Sequence, residues 1–289
     1  MRVLIVEDDP ASRELMEDMV KMEGHDLRTA EDGYQALSLF KEFKPDLVFS
    51  DIQMPKMDGL ELLERIRDIS PETIVVMMTA FGCEEYALKA LRLRANNYLQ
   101  KPIRHDDIFP LLEKYSALVE AADSLGQGTT GEDQQQKFIF ENDISKISDF
   151  VNLLVQGVAK DFVGRDYLDV KIGLYELLAN AIEHGNLEIS KEDKFNTLNL
   201  EELYEKRRSD PQFAGRKIVV ELTRDDVACE WLITDEGKGF DYENVLKNIG
   251  PMGNVKAKGI FIAQFHFDQL EFLGKGHQVR ARKLKTVST

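Results

Sequence analysis

Residues 47–59 of this 289-residue chain read Leu-Val-Phe-Ser-Asp51-Ile-Gln-Met-Pro55-Lys-Met-Asp58-Gly59. The short apolar run that opens this stretch predicts a buried strand, and a carboxylate, Asp51, stands where the strand ends. Further strand-like runs alternate with amphipathic helical runs through the first 120 residues, at Val3–Val6, Asp26–Ala30, Ile74–Met78 and Asn97–Leu99. Five strand–helix units of this kind predict a doubly wound α/β fold, with a parallel sheet and helices on both faces.

Charged and hydroxyl side chains follow these strands at the points where they end. The carboxyl ends of parallel strands meet at one edge of a sheet, so side chains that follow different strands converge there. The converging residues are Glu7, Asp8, Asp51, Thr79 and Lys101. Three converging carboxylates repel one another, and Mg²⁺ is the usual cation for such an oxygen-lined site. A lysine and a hydroxyl group beside it suit an incoming phosphoryl group.

In this combination the residues resemble the receiver domain of bacterial response regulators, which has a flavodoxin-like fold with five parallel strands. The resemblance covers residues 1–120 and lies in four motifs, Val6-Glu-Asp-Asp-Pro10, Ser50-Asp51-Ile-Gln-Met-Pro55-Lys-Met-Asp58-Gly59, Met78-Thr-Ala80 and Tyr98-Leu-Gln-Lys-Pro102. It implies a two-component phosphoprotein with a sensor histidine kinase as partner. Arg94 and Asn97 depart from the pattern, because receivers often carry Gly and Asp at these places.

The receiver resemblance implies a role for each matching residue. Asp51 is the phosphoacceptor, and Lys101 pairs with the phosphoryl group while Thr79 donates a hydrogen bond to it. Tyr98 is the aromatic switch, and the Lys101–Pro102 peptide bond is expected to be cis. The implied Mg²⁺ ligands are Glu7, Asp8, Asp51 and the main-chain carbonyl of Gln53.

The second half of the chain contains a helical stretch, Glu176-Leu-Leu-Ala-Asn180-Ala-Ile-Glu-His184. Glu176 and Asn180 are four residues apart, so they share one helix face. A carboxylate and a carboxamide placed in this way suit a hydrated Mg²⁺ and a nucleophilic hydroxyl, although the pair alone is also what an exposed polar stripe looks like. Downstream, Asp235-Glu-Gly237-Lys-Gly239 follows a strand, and Lys258-Gly259 begins an apolar helix whose N-terminus suits a phosphate.

In this order the three motifs resemble the GHKL ATPase fold of histidine kinases, gyrase and heat-shock chaperones, and above all its serine-kinase branch, the anti-sigma-factor kinases. We therefore expect a linker over residues 121–137 and an α/β sandwich over residues 138–289, with a mixed sheet that carries helices on one face. The resemblance implies Glu176 as general base and ATP with Mg²⁺ as cofactors. It implies that Asn180 binds this Mg²⁺ and that the nucleotide is held by Asn180, Asp235, Gly237, Gly239, Lys258 and Gly259.

Three functions remain open at this stage. The first is a response regulator whose output is a serine/threonine kinase acting on a STAS-type anti-sigma-factor antagonist, or a module that holds a sigma factor. The second is a GHKL module that only sequesters its partner, since Ala257 replaces the first glycine of the usual Gly-x-Gly before the last helix. The third, a histidine kinase fused to a receiver, is disfavoured because no histidine lies between His105 and His184.

Composition limits the partners. The net charge of −15 disfavours direct contact with nucleic acid, and no apolar run approaches the length of a membrane span. The two cysteines, Cys83 and Cys229, lie far apart in sequence without metal-type spacing, as expected for free thiols of a cytoplasmic protein. The sequence leaves open whether the chain forms a homodimer, which sensor kinase it meets, and whether phosphorylation activates or inhibits the output.

Overall fold

A computed structural model of the chain describes residues 1–80, 84–123, 135–197, 199–248 and 258–286. The chain divides into two compact units, Met1–Gly126 and Gln127–Thr289. Among the described residues, no helix has the length and apolar character needed to span a membrane. Cys83 and Ala257 lie outside the described residues.

The first unit alternates five strands with five helices along the chain. The strands are β1 (Arg2–Val6), β2 (Asp26–Ala30), β3 (Leu47–Asp51), β4 (Ile74–Thr79) and β5 (Asn97–Gln100). The helices are α1 (Pro10–Met22), α2 (Gly33–Phe43), α3 (Gly59–Ile69), α4 (Glu84–Arg92) and α5 (His105–Asp123). Every strand pair is parallel and the strand order is β2-β1-β3-β4-β5, so the predicted five-stranded parallel sheet is confirmed.

The central strands are hydrophobic throughout because helices cover both faces of the sheet. Residues Val3–Val6 of β1 and Leu47–Phe49 of β3 have no exposed surface. Aspartates begin three of the helices, since Asp9, Asp32 and Asp58 each accept a hydrogen bond from the backbone N–H three residues later. These caps fix the loops at the carboxyl edge of the sheet, where the polar residues gather.

The second unit has five strands and six helices among its described residues. The strands are β6 (Gln135–Glu141), β7 (Lys217–Arg224), β8 (Ala228–Thr234), β9 (Gln269–Leu273) and β10 (Gln278–Leu284). The helices are α6 (Ile147–Gln156), α7 (Arg165–Asn180), α8 (Lys191–Asn196), α9 (Leu200–Ser209), α10 (Tyr242–Asn248) and α11 (Lys258–His266). A π-helical turn, Ala181–Asn186, continues α7. Residues 188–215, which we call the charged insertion, contain α8 and α9.

The prediction of a mixed sheet in the second unit is wrong. The strand order is β6-β7-β8-β10-β9, and all four strand pairs are antiparallel. Two of these pairs have a local reason, because β7 joins β8 and β9 joins β10 through short turns, and a short turn can only connect antiparallel neighbours. One face is buried, with Val220, Ile233 and Val279 in register across three strands, while the opposite face carries pairs such as Glu221 and Lys137.

The boundaries between the units differ from the predicted ones. Helix α5 extends to Asp123, and β6 begins at Gln135, so both elements enter the segment that we predicted as a linker over residues 121–137. Strand β6 is longer than its apolar residues indicate because Gln135–Lys137 pair with Glu221–Thr223 of β7 through their backbones. Polar side chains on an edge strand carry little sequence signal for this pairing.

Candidate functional sites

An acidic cluster forms where the strands of the first sheet end. Glu7 follows β1, Asp51 is the last residue of β3, and ligand oxygens of Glu7, Asp8 and Asp51 lie within 4.8 Å of one another. Glu7 and Asp51 are buried, whereas Asp8 is exposed. The adjacent Asp9 stays outside the cluster because its carboxylate accepts a hydrogen bond from Ser12 N at 2.7 Å and caps α1.

Lys101 supplies a positive charge to the acidic cluster. Its Nζ lies 2.5 Å from Asp51 Oδ2 and 2.7 Å from Glu7 Oε2. Burial would lower the pKa of Lys101, but the hydrogen bonds to Asp51 and Glu7 outweigh it, and the pKa is raised. Burial and the charge of Asp51 raise the pKa of Glu7 although Lys101 opposes them. One ammonium group does not balance three carboxylates, so a divalent cation with a preference for oxygen ligands fits this donor set.

The remaining predicted receiver residues lie at or near the ends of β3, β4 and β5. The backbone N–H of Gln53 donates to Asp51 Oδ1 at 3.1 Å, and Thr79, buried at the end of β4, accepts a hydrogen bond at its backbone oxygen from Lys101 N. Tyr98 is buried on β5, with 7% of its surface exposed. The Lys101–Pro102 bond is cis, as predicted.

Gly59 shows how tightly the acidic edge is built. Its N–H donates to Ile52 O at 2.9 Å, and a Cβ atom at this position would lie 2.0 Å from the backbone oxygen of Asp51. Only glycine permits this approach without a shift of the backbone. The motif that joins Asp51 to Gly59 in the sequence is therefore a packing requirement of the loop as well as a chemical one.

A cavity of 530 Å³ lies in the second unit, within the volume range of small-molecule sites. All three sequence motifs of this unit contribute to its wall, which includes Glu176, Asn180, Asp235, Gly239, Lys258 and Gly259. The first two come from α7, Asp235 and Gly239 from the loop after β8, and the last two from the start of α11. Six of the seven residues that we predicted for this unit therefore share one cavity wall.

The end of the cavity near Asp235 is built around close backbone contacts. Asp235 Oδ1 accepts a hydrogen bond from Gly237 N at 2.8 Å, and this glycine, the seventh predicted residue, packs against Gly185. Gly239 has a φ of +74°, and a Cβ atom there would lie 2.1 Å from Lys275 O. Burial raises the pKa of Asp235 to about 6, so at neutral pH the cavity holds an ionised acceptor in a poorly hydrated place.

The opposite end of the cavity joins α7 to α11. A Cβ atom on Gly259 would lie 2.7 Å from Glu176 Oε2 and 3.0 Å from Asn180 Nδ2, so the start of α11 touches both polar side chains. Asn180 Nδ2 is buried and has no hydrogen-bond partner among the described residues. An amide nitrogen without a partner among the described residues can donate to a ligand, and an amide oxygen is of the kind that Mg²⁺ accepts.

Asn186, to which the sequence analysis gave no role, holds the cavity loop to the π-helical turn. Its buried side chain donates to Asn142 Oδ1 at 2.6 Å and to Lys217 O at 3.0 Å, and its oxygen accepts from Glu236 N at 2.7 Å. The signal in the sequence was an asparagine on an otherwise apolar helical face. His184 Nδ1 donates a hydrogen bond to Ile189 O at 2.7 Å.

Glu183 attaches the charged insertion to the cavity wall. Its carboxylate contacts Lys194 Nζ of α8 at 2.5 Å through Oε2 and accepts a hydrogen bond from the Tyr204 hydroxyl of α9 through Oε1. Burial and the charge of Glu183 raise the pKa of Tyr204. Glu183 also belongs to the cavity lining, so one side chain links both insertion helices to the wall.

The fold and the acidic edge of the first unit define a flavodoxin-like domain with a divalent-cation site. Residues 3–113 match the family described as the response regulator receiver domain. The chemotaxis protein CheY of Bacillus subtilis is 33% identical over 114 residues, which cover 39% of this chain and 95% of that protein. CheY of Thermotoga maritima is 31% identical over 116 residues, 40% of this chain and 97% of that protein.

The chain belongs to the response regulator receiver family. The regulatory protein AtoC of Escherichia coli is 35% identical over 113 residues, which make up 39% of this chain and 24% of AtoC. Receiver domains bind Mg²⁺ at an acidic site, and Glu7, Asp8 and Asp51 form such a site here. Receiver domains also interact with sensor histidine kinases. These three matches concern about 40% of the chain, which leaves the second unit to be interpreted from its own cavity.

Proposed function

We propose that phosphorylation of Asp51 controls an ATP-dependent serine/threonine kinase in the second unit, of the GHKL type found in anti-sigma-factor kinases. The observation that carries this proposal is the single cavity whose wall contains Glu176, Asn180, Asp235 and Gly259, four residues from three distant motifs. The target is a Ser or Thr of a STAS-type anti-sigma-factor antagonist, and a sigma factor is the alternative partner.

In the receiver, Asp51 accepts the phosphoryl group from a sensor histidine kinase. Phosphorylation adds nearly two negative charges, and Lys101 is already in contact with the Asp51 carboxylate. Glu7, Asp8, Asp51 and the main-chain carbonyl of Gln53 would hold Mg²⁺, which would supply further charge stabilisation. Thr79 and Tyr98 transmit the change to the surface around β5.

In the second unit, Asp235 accepts the amine of adenine while Gly237 and Gly239 allow the base to approach the backbone. Asn180 holds the Mg²⁺ that accompanies ATP, and Lys258 and Gly259 meet the phosphates at the N-terminus of α11. Glu176 takes the proton of the attacking hydroxyl. Positioning and charge stabilisation then do most of the catalytic work, as in phosphoryl transfer generally.

The decisive experiment is transfer of phosphate from labelled ATP to purified STAS-type proteins, with and without beryllofluoride on the receiver. We expect transfer that differs between the two states, and the direction of the difference gives the sign of the switch. Glu176→Gln should abolish transfer, whereas the same substitution at Glu221, on the polar face of β7, should leave it unchanged. If Glu176→Gln and wild type transfer equally, the assigned general base is wrong.

A sequestering module is the alternative, and it is motivated by Ala257 in the sequence. It predicts that the full chain binds its partner, with or without nucleotide, and transfers no phosphate in either receiver state. Ala257→Gly then separates the two functions. Transfer that appears in this variant identifies a kinase weakened at one position, and continued absence identifies a binding module.

A further inference from the structure

Helices α7 and α11 pack antiparallel to each other. Gly259, near the start of α11, lies against Glu176 and Asn180, and His266 at its end lies against Asp169 near the start of α7. Each pair of contact points is separated by seven residues, or about 10 Å along a helix. The end of α11 that carries His266 is therefore about 10 Å from the cavity.

A buried ionic cluster fastens this distant end. Asp169 Oδ1 lies 3.0 Å from His266 Nδ1 and 2.9 Å from Arg165 Nε, and all three residues are at most 6% exposed. Burial by itself would raise the pKa of Asp169, but His266, Arg165 and Lys283 outweigh it and lower the pKa. A carboxylate shared by two donors in the interior fixes one geometry, since a displaced partner would leave a buried charge unpaired.

Close backbone packing makes the register of the two helices sensitive to this cluster. A Cβ atom on Gly173 would lie 2.5 Å from the ring of Phe267 and 3.1 Å from the Cβ of His266. At the cavity end, Gly259 leaves similarly little room beside Glu176. At both points a glycine lets the backbone of one helix lie directly on side chains of the other, and such close contacts transmit a shift at one point to the other.

We infer that Asp169 and His266 are positioning residues, which set the register of α11 and so place Lys258 and Gly259 against Glu176 and Asn180. The inference rests on the proposed nucleotide function for its functional consequence, but its structural consequence does not need a nucleotide. According to this inference, an ionic cluster about 10 Å from the cavity determines the position of the residues at its phosphate end.

The test is Asp169→Asn in the full chain, with Asp161→Asn as the matched control. Asp161 also forms a largely buried ion pair in this unit, with Arg224 at 2.9 Å, and its further contacts are to Lys285 and Cys229. Two quantities are measured. The first is the affinity for a fluorescent ATP analogue in the presence of Mg²⁺, and the second is the hydrogen exchange of amides 258–266 without nucleotide. We expect Asp169→Asn to weaken analogue binding about tenfold and to accelerate exchange in α11, with less than about a twofold change in Asp161→Asn.

The outcomes separate this inference from the proposed function. If the two variants change exchange in α11 equally, the positioning role is wrong whatever the nucleotide does. If the wild type binds no ATP analogue, the proposed function fails, while faster exchange in Asp169→Asn alone still supports the register. If the wild type binds and Asp169→Asn binds equally well, the inference is overturned. Should Asp169→Asn not fold, His266→Gln, which keeps a hydrogen-bonding side chain, is measured in the same way.

Discussion

The described residues of each unit form a five-stranded sheet, but the two units gather their polar residues in different ways. In the parallel sheet all carboxyl ends lie at one edge, so Asp51 of β3 and Thr79 of β4 meet there with the residues that follow β1 and β5. In the antiparallel sheet, strand ends alternate between the two edges. Its cavity is formed instead where α7, α11 and the loop after β8 come together. In a parallel sheet, the residues that follow the strands therefore predict where a site lies, whereas in an antiparallel sheet they do not.

The largest expected effect concerns the chemistry of the parallel edge. Asp51→Asn should abolish labelling of the chain by acetyl phosphate, because the carboxylate that Lys101 contacts is the only proposed acceptor. Autoradiography after gel electrophoresis measures it. Asp9→Asn is the matched control, since Asp9 caps α1 and should leave labelling intact. Residual labelling of Asp51→Asn above about a hundredth of the wild-type level would place the acceptor elsewhere.

The second expected effect concerns the stability of the same edge. Gly59→Ala should lower the free energy of unfolding of the first unit by about 2–3 kcal/mol, because the new Cβ overlaps the backbone oxygen of Asp51. Hydrogen exchange measures this separately for β3 and β7. Faster exchange in β3 with unchanged exchange in β7 would mean that the two units unfold independently. An equal change in both strands would mean that the units unfold together.

The third prediction separates stability from binding at the cavity. Since burial raises the pKa of Asp235 to about 6, protonation stabilises the fold as the pH falls through that value, and the ionised carboxylate destabilises it above. Asp235→Asn should remove this pH dependence and, because solvent screens part of the charge, raise the free energy of unfolding near pH 8 by only about 1 kcal/mol.

Nucleotide binding should change in the opposite direction. A carboxamide is a weaker acceptor than a carboxylate, so Asp235→Asn should weaken binding of ATP about tenfold at neutral pH. In the wild type, binding should also decrease as the pH falls below about 6. Calorimetric titration between pH 5 and about pH 8 measures both effects. A variant that is neither more stable nor weaker in binding would remove Asp235 from the proposed base site.

The smallest effect tests a surface departure from the receiver pattern. Arg94 has a φ of +64°. In this backbone conformation a residue with a Cβ atom is strained, whereas glycine is not. Arg94→Gly should raise the free energy of unfolding by about 0.5 kcal/mol, because relief of strain exceeds the added flexibility of the unfolded chain. Lys44→Gly, at a φ of 49° after α2, provides a second instance. Denaturant unfolding measures both, and a loss of stability in each would contradict the argument.

The sequence predicted most of the first unit because its periodicity and its chemistry agree. Leu47–Asp51 is both an apolar strand and the bearer of Asp51, and the rule for parallel strands then brings the other carboxylates to it. In the second unit the motifs predicted which residues line the cavity but not the antiparallel order of the sheet. Single strands carry no signal of their direction, and β6 begins with three polar residues that lack the apolar pattern of a strand.

Contacts between polar residues that lie far apart in the chain could not be predicted from the sequence either. Asn186 forms hydrogen bonds with Asn142, Lys217 and Glu236, which lie 44, 31 and 50 residues away in the chain. Asp169 and His266 are separated by 97 residues. Such pairs have neither a spacing nor a composition that distinguishes them from solvated side chains.

The attachment of the charged insertion at Glu183 limits how this unit can be shortened. Both carboxylate oxygens of Glu183 are occupied by the insertion, one by Lys194 and the other by Tyr204. Deleting α8 and α9 would leave an acid without its two partners in the cavity wall. The charged insertion and residue 183 therefore have to change together. A shortened unit without α8 and α9 requires a neutral residue at position 183.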